Sequence, residues 1–356
     1  MPDLAPRPLP LLTADLPGTG GIAKVEPEDF QVEELPAYLP SGQGEHLYLW
    51  IEKRDLSTQD AVRQIASALG VDEREVGYAG QKDRRAVTRQ WISAHTKRDA
   101  LELSDQRIHV LSTSRHGNKL RLGHTRGNRF VIRLRGTDAA APERAQAIVT
   151  RLGREGLPNF FGAQRFGRKG DNAILGAALL GLAEHPERNR ASRDRFLRRL
   201  ALSSLQSELF NRVLAERLSA GTWCRVLGGD VLRKRASGGV FVSADPVVDQ
   251  PRVDALELDV TGPMPGPRER PAAAGAAAAV EEAVLQEAGV PRSAFEKGGG
   301  ETEGARRPLR VPVDAAEARA HGSDSLELSF TLPSGAYATR VLVEVTKSTV
   351  DLPFEA

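Results

Sequence analysis

What most constrains the fold of this 356-residue chain is a strand pattern that stops and later returns. In His46-Leu47-Tyr48-Leu49-Trp50-Ile51-Glu52-Lys53, the residues Leu47, Leu49 and Ile51 alternate with the other face, the period of a half-buried strand. After Pro158 the apolar spacing becomes helical. Only at Ser325–Leu332 does the period of two come back, with Leu326, Leu328, Phe330 and Leu332. A chain that resumes its first pattern after so long an excursion is expected to re-enter its first domain. The breaks fall at about 155 and 310, so a discontinuous domain of residues 1–155 and 311–356 is predicted to enclose an inserted domain of 156–310. Two domains also suit the length, at ~100–200 residues each.

In the first part, Ser57 or Thr58 can cap a helix whose Ala61, Val62, Ile65 and Leu69 keep helical spacing up to Gly70. Short strands are expected at 107–113, 119–123 and 129–135, and a helix at 142–155. The inserted part reads as helices at 171–184, 192–201 and 203–219, followed by extended pieces over 223–260. Its Pro/Gly/Ala-rich end, Pro263 to Gly304, holds a helix within 272–288 and a loose loop at Gly298-Gly299-Gly300. A last short helix is expected at 337–346. The fold class is α+β, a mixed α/β chain.

Charge alone names no partner, since 49 Lys and Arg face 47 Asp and Glu, for a net +2. Basic residues instead cluster, at Lys82–Arg89, at Arg115–Arg135 and from Arg188 to Arg199, and each run reads either as a phosphate track or as a solvated face. Cys224 is the single cysteine, which excludes an intrachain disulfide, a Cys-rich zinc site and the paired cysteines of a zinc deaminase. The seven histidines are scattered with no His-x-x-x-His pair, so no metal site is expected. Gly18-Thr19-Gly20-Gly21 is a poor match to the dinucleotide fingerprint and follows no clear strand, which argues against a methyltransferase. With no export signal and no apolar run of about 18 residues, the expected setting is the reducing cytoplasm.

The most informative run is Gly77-Tyr78-Ala79-Gly80-Gln81-Lys82-Asp83-Arg84-Arg85-Ala86-Val87-Thr88-Arg89-Gln90-Trp91. Lys82, Arg84, Arg85 and Arg89 surround one carboxylate, Asp83, and nearby cations favour the ionised form that a nucleophile needs. The two glycines suggest a tight or strained backbone that presents the side chain to a ligand. Alone, the segment reads equally as a surface turn.

Four further segments change that balance: Ala23-Lys24-Val25-Glu26-Pro27-Glu28-Asp29-Phe30-Gln31-Val32, Gly127-Asn128-Arg129-Phe130, Asn159-Phe160-Phe161-Gly162-Ala163-Gln164-Arg165-Phe166-Gly167 and Leu332-Pro333-Ser334-Gly335-Ala336-Tyr337-Ala338-Thr339. Together with the Asp83 run, and in the same order, they make the chain resemble the TruD family of tRNA pseudouridine synthases over nearly its whole length. The resemblance implies a catalytic domain built on a mostly antiparallel mixed sheet and interrupted by a large α/β insertion specific to the family. It implies an isomerase that turns a uridine of tRNA, at position 13 in the D arm, into pseudouridine without a cofactor.

By the same resemblance Asp83 is the catalytic carboxylate, by attack on the ribose or by elimination to a glycal, and Lys24 is its partner cation. Read alone, Lys24 could equally be an exposed strand lysine paired with Glu26 or Asp29. Phe30, Phe130 and Tyr337 match active-site aromatics, which suit the stacking of a looped-out base, although any lone Phe reads first as core. Asn128 carries the donor and acceptor needed to read a uracil edge, although a Gly-Asn pair can equally be a turn. Lys82, Arg84, Arg85, Arg165, Arg195 and Arg198 are expected to contact RNA. The partner is tRNA, with no membrane and no metal, and the protein is expected to be a monomer. A non-catalytic RNA-binding protein of the same fold is disfavoured by the presence of both Asp83 and Lys24.

Overall fold

The computed structural model describes residues 2–5 and 7–348. The chain divides into two compact units, one formed by Thr13–Gly156 with the segment from Pro312 on, the other by Leu157–Val311 with the residues up to Leu12.

The first unit opens with β1 (Ile22–Ala23), β2 (Phe30–Pro36), β3 (His46–Arg54) and α1 (Thr58–Leu69), followed by β4 (Val76–Tyr78), β5 (Val87–His95), β6 (Ile108–His116), β7 (Thr125–Arg135) and α2 (Ala141–Glu155). Ser57 caps α1 by accepting from Asp60 N, and Gly70 ends the helix in the left-handed conformation. Ala61, Val62, Ile65 and Leu69 of α1 pack on Leu47, Leu49, Ile51 and Ile92. Residues 119–123 are not a strand: Leu120 is instead a buried loop anchor whose N–H donates to Ser93 Oγ at 2.9 Å.

The inserted unit comprises β8 (Leu157–Pro158), α3 (Asn172–Leu179), α4 (Arg188–Arg193), α5 (Arg195–Ser219), β9 (Val231–Lys234), β10 (Val240–Val242), α6 (Pro246–Asp254), β11 (Leu258–Met264), α7 (Ala276–Glu287), β12 (Ala305–Pro308) and β13 (Arg310–Val311). The two helices expected over 192–219 are one 25-residue helix. The serines do not break it, because Ser204 and Ser207 satisfy their hydroxyls on the carbonyls of Leu200 and Ser203, both at 2.8 Å. The Gly298–Gly300 loop is part of a 3-10 segment, Arg292–Glu301, tied down where Thr302 Oγ1 donates to Phe295 O at 2.6 Å. The N-terminal residues, expected in the first domain, pack in this unit. Leu4 is buried among Leu180, Leu205, Leu285 and Phe295, and Arg7 pairs with Glu287 at 2.7 Å.

The chain then adds β14 (Asp314–Ala320), β15 (Ser325–Pro333) and α8 (Ala338–Thr346) to the first unit. The sheet order is β14-β15-β7-β2-β5-β3-β6, with β4 on β5 and β1 on β7, and only the β2–β5 pair is parallel. Residues directly opposite in a ladder share a face, so the registers Phe330↔Phe130, Phe130↔Val32, Val32↔Thr88 and Thr88↔Lys53 place these side chains on one face of five adjoining strands. At one end of that face apolar residues give way to Asn128, Glu34, Gln90, Thr88 and Lys53. Among the described residues no helix is long and apolar enough to cross a membrane.

Candidate active site

The polar end of this face supports the loop between β4 and β5. Gly77 is required there, since a Cβ would lie 2.3 Å from Leu120 O and 2.8 Å from Ser93 Oγ. Gly80 is not: it keeps φ outside the left-handed range and its nearest neighbour would be Lys82 Nζ at 3.6 Å, so the expected strain is absent at this glycine. From beneath, Thr58 Oγ1 accepts from Lys82 N at 2.9 Å and donates to Gln90 Oε1 at 3.1 Å, while Gln90 Nε2 donates to Gly80 O at 3.1 Å. These bonds fix the main chain and leave the Asp83 side chain half exposed.

Lys24 reaches Asp83 from 59 residues away, with Nζ 2.9 Å from Oδ1 and 4.0 Å from the centroid of the Phe30 ring. The lysine side chain is 8% exposed and the aspartate 50%. No described residue donates to Asp83 Oδ2. The strain expected at a glycine sits at Lys24, whose φ of 58° is left-handed and unfavourable by ~1–3 kcal/mol for a residue with a Cβ. What holds it there is the following turn. Buried Asp29 accepts from Glu26 N at 2.9 Å and takes the Arg135 guanidinium at 2.9 Å, while Arg135 also bonds Glu26 at 2.7 Å. Arg135 thereby occupies both carboxylates that could have drawn Lys24 away from Asp83.

The cations flanking Asp83 in sequence do not pair with it. Lys82, expected to contact RNA, turns down to Glu34 Oε2 at 2.6 Å, with both side chains almost fully buried. Arg89 pairs with Glu52 at 2.8 Å and Glu33 at 3.6 Å. Arg84 is exposed and lines a hollow with Asp60, Arg63 and Arg107, Arg85 is half-buried, and neither forms an ion pair with a described residue. The charge beneath the loop comes instead from Lys53, which the motifs did not mark. Its ammonium is fully buried and donates to Leu56 O at 2.6 Å and to Asp83 O at 2.9 Å. Burial pushes it down to about 8, against the upward pull of Asp83.

The aromatic residues are distributed differently from a row of base platforms. Phe30 and Phe130 are 2% and 6% exposed and meet edge to face at 6.1 Å, and Phe130 stacks on Phe330 at 5.4 Å. Phe130, expected as a base platform, has one face against Phe330 and little of its ring open, while Phe30 carries the Lys24 ammonium. Asn128, two residues before Phe130 and opposite Glu34, has its Oδ1 buried with no hydrogen-bond partner among the described residues. Gly127 allows β15 to close on this point, since a Cβ there would lie 2.2 Å from Leu332 O. Tyr337 follows from the same end of β15 as the half-buried N-cap of α8.

Arg165, Arg195 and Arg198 belong to the other unit. Arg165 lies 3.2 Å from Ser207 Oγ and over the Phe161 ring, and Arg198 pairs with Glu301 at 2.5 Å, whereas Arg195 is exposed without an ion pair to a described residue. No group of three or more His, Cys, Asp or Glu among the described residues is placed to hold a metal.

A family model described as tRNA pseudouridine synthase D (TruD) matches residues 9–188 and 182–345. The chain is 51% identical over 346 residues to a tRNA pseudouridine synthase D of an Anaeromyxobacter species, covering 97% of both chains. It is 44% identical over 350 residues to one of Thermus thermophilus, covering 97% of this chain and 94% of that one. The crystal structure of a Methanosarcina mazei protein assigned to TruD superposes with a TM-score of 0.79 at 26% identity, over 96% of each chain.

Proposed function

The chain belongs to the tRNA pseudouridine synthase D (TruD) family, and from that premise we propose that Asp83 is its catalytic carboxylate, acting on the uridine at position 13 of the tRNA D arm. The chain is a tRNA pseudouridine synthase, an isomerase of uridine. The reaction breaks the bond between ribose C1′ and uracil N1, turns the base and joins C1′ to C5, whose proton leaves while N1 takes one up. Atoms are conserved, so no redox partner or group donor is required, and the reading includes neither metal nor cofactor. Two routes are available to a carboxylate here, attack on the ribose or elimination to a glycal, and both need it ionised and close to the glycosidic carbon.

The observation that carries the reading is the 2.9 Å pair between Lys24 Nζ and Asp83 Oδ1, with the other carboxylate oxygen left to face a ligand. A buried cation holds the anion in one orientation, and the absence of a second donor leaves Oδ2 available for chemistry. Asn128 adds a second support: a buried carbonyl oxygen without a donor is unfavourable by about 1–3 kcal/mol, and the N3–H of uracil is a donor of the right kind. In this reading the protein works as a monomer in the cytoplasm, with tRNA as its partner.

The test is pseudouridine mapping of tRNA treated with purified protein, alongside Asp83→Asn. The wild type should produce pseudouridine at position 13. The variant should lose at least about 10³-fold in single-turnover rate while its Kd for tRNA stays within about threefold, because the side chain is nearly isosteric. Turnover by Asp83→Asn close to wild type would remove Asp83 from the chemistry.

A further inference from the structure

We propose that Lys53 is a positioning residue for the reaction, a buried ammonium that clamps the main chain of Asp83 from below and holds its carboxylate at the height that Lys24 meets. This rests on the assignment of Asp83 as the reacting group.

The placement follows from strand geometry. In β3 the side chains of Leu47, Leu49, Ile51 and Lys53 fall on one face, and the first three pack under α1. The next position on that face should be another aliphatic residue. It is a lysine with no exposed surface, and no described carboxylate pairs with it. Burying an ammonium is unfavourable unless it is well bonded, and apolar residues of similar size usually serve stability as well or better. Lys53 spends its donors on two main-chain carbonyls, Leu56 O at 2.6 Å and Asp83 O at 2.9 Å. One ties it to the start of α1, the other to the catalytic loop at the residue proposed to react. The loop's other anchors, through Thr58 and Gln90, hold residues 80 and 82, so Lys53 is the side chain that fixes position 83 itself.

The charged groups facing Lys53 are few. Asp83 and Lys82 come from the loop and Asp60 from α1, and the two carboxylates only partly offset burial, which leaves the ammonium at about 8. Its charge is therefore lost in a range where ordinary lysines keep theirs. A neutral amine retains two donors, but its bonds lose the charge assistance that roughly doubles their strength. The sign for stability is opposite. With a folded value below the unfolded 10.5, the unfolded chain binds more protons between those two values, so this group favours folding more as pH rises through that window. A fall in rate there is not unfolding.

The experiment measures single-turnover pseudouridine formation at saturating tRNA, against pH, for wild type, Lys53→Met and Lys53→Gln, with Asp83→Asn as reference. The wild-type rate should fall several-fold from about pH 7 to about pH 9.5 with tRNA affinity unchanged, as the Lys53 charge is lost. Lys53→Met should be slower by about 100-fold near neutral pH with Kd within about threefold, because misplacing a reacting group by about 1 Å has effects of that size, and its profile should lack the alkaline fall. Lys53→Gln, which keeps a donor without a charge, covers the case in which the Met variant does not fold, and should also lack the alkaline fall. A wild-type profile flat through this range, a variant rate within about threefold of wild type, or an unchanged alkaline fall in either variant would each overturn the proposal. An inactive Asp83→Asn beside a normal Lys53→Met rejects the role of Lys53 alone. An active Asp83→Asn rejects the catalytic assignment beneath it.

Discussion

Each unit of this protein contains a cluster of buried charges, and the two are built differently. In the inserted unit Arg306 and Arg292 alternate with Glu269 and Glu281 in a closed square: Arg306 meets Glu269 Oε1 at 2.9 Å and Glu281 Oε1 at 2.7 Å, and Arg292 meets their Oε2 atoms at 2.7 and 2.8 Å. Thr261 takes the remaining reach of Arg306. Every carboxylate oxygen has a guanidinium donor. In the first unit the cations are lysines, Lys24, Lys53 and Lys82, of which Lys24 pairs with Asp83 and Lys82 with Glu34, and one oxygen of Asp83 receives no donor from a described residue. Planar guanidinium pairs suit a fixed lattice of carboxylates, whereas a single ammonium point charge orients one atom and leaves the next one open. The first arrangement leaves no carboxylate oxygen without a guanidinium donor, and the second leaves one oxygen of Asp83 open, as the proposed role of Asp83 requires.

The strongest way to break this contrast is to remove one cation from each cluster. Lys24→Met should lower the single-turnover rate by about 10²-fold with little change in tRNA affinity, because it withdraws the charge that orients the anion proposed to react. Arg306→Met should do the reverse. It strands two buried carboxylates with half their donors, which typically reduces stability by about 3–5 kcal/mol, while the rate per folded molecule stays near wild type. Denaturant melts and single-turnover rates on both variants decide the matter. A Lys24 variant that loses stability but not rate would make the two clusters alike.

Much of this is legible in the sequence, for reasons that separate cleanly. The return of β15 is readable because period-two alternation in 325–332 is a local signal of a strand, and β15 lies against β7 along its length. The helix boundary expected near 202 does not exist, because Ser204 and Ser207 bond back to carbonyls within the helix instead of interrupting it. Asp83 stands out locally, as one carboxylate among cations and glycines, but its pairing with Lys24 emerges only through resemblance, since no local pattern links residues 59 apart. The fate of Lys82 is not readable locally either, because its partner Glu34 lies on another strand. Lys53 is the instructive miss. The alternation of Leu47, Leu49 and Ile51, extended by a single step, puts a lysine on the buried face, and a charge at a core position is itself a functional signal.

A finer comparison lies within the active-site end of the sheet, between a covered ring and a half-buried one. Phe130 is enclosed by Phe330 and Phe30, whereas Tyr337 keeps part of its surface open at the start of α8. If Tyr337 offers its ring to a base, Tyr337→Ala should weaken productive capture by about 1–3 kcal/mol, read as a rise in the tRNA concentration needed for half-maximal single-turnover rate. Tyr337→Phe should stay within about twofold of wild type, because stacking uses the ring. The reverse ranking would move the contribution to the hydroxyl.

The smallest expected effect separates two arginines three positions apart at the start of α5. Arg198 is committed to Glu301 at 2.5 Å, whereas Arg195 is exposed, forms no ion pair with a described residue and stands at the first position of the helix. A cation there opposes the helix dipole by about 0.3–1 kcal/mol, a penalty that a nearby phosphate would relieve. Arg195→Glu should therefore weaken tRNA binding several-fold and lower the slope of log affinity against log salt by about 0.7–0.9, the value for one phosphate neutralised. Arg198→Glu should place two carboxylates together, reduce stability and leave the salt slope where it was. Binding titrations at three or four salt concentrations distinguish the pair. Equal slopes for wild type and Arg195→Glu would make this helix end a solvated face, and the arginines that form no ion pair with a described residue beside Asp83, Arg84 and Arg85, would then be the next to reverse.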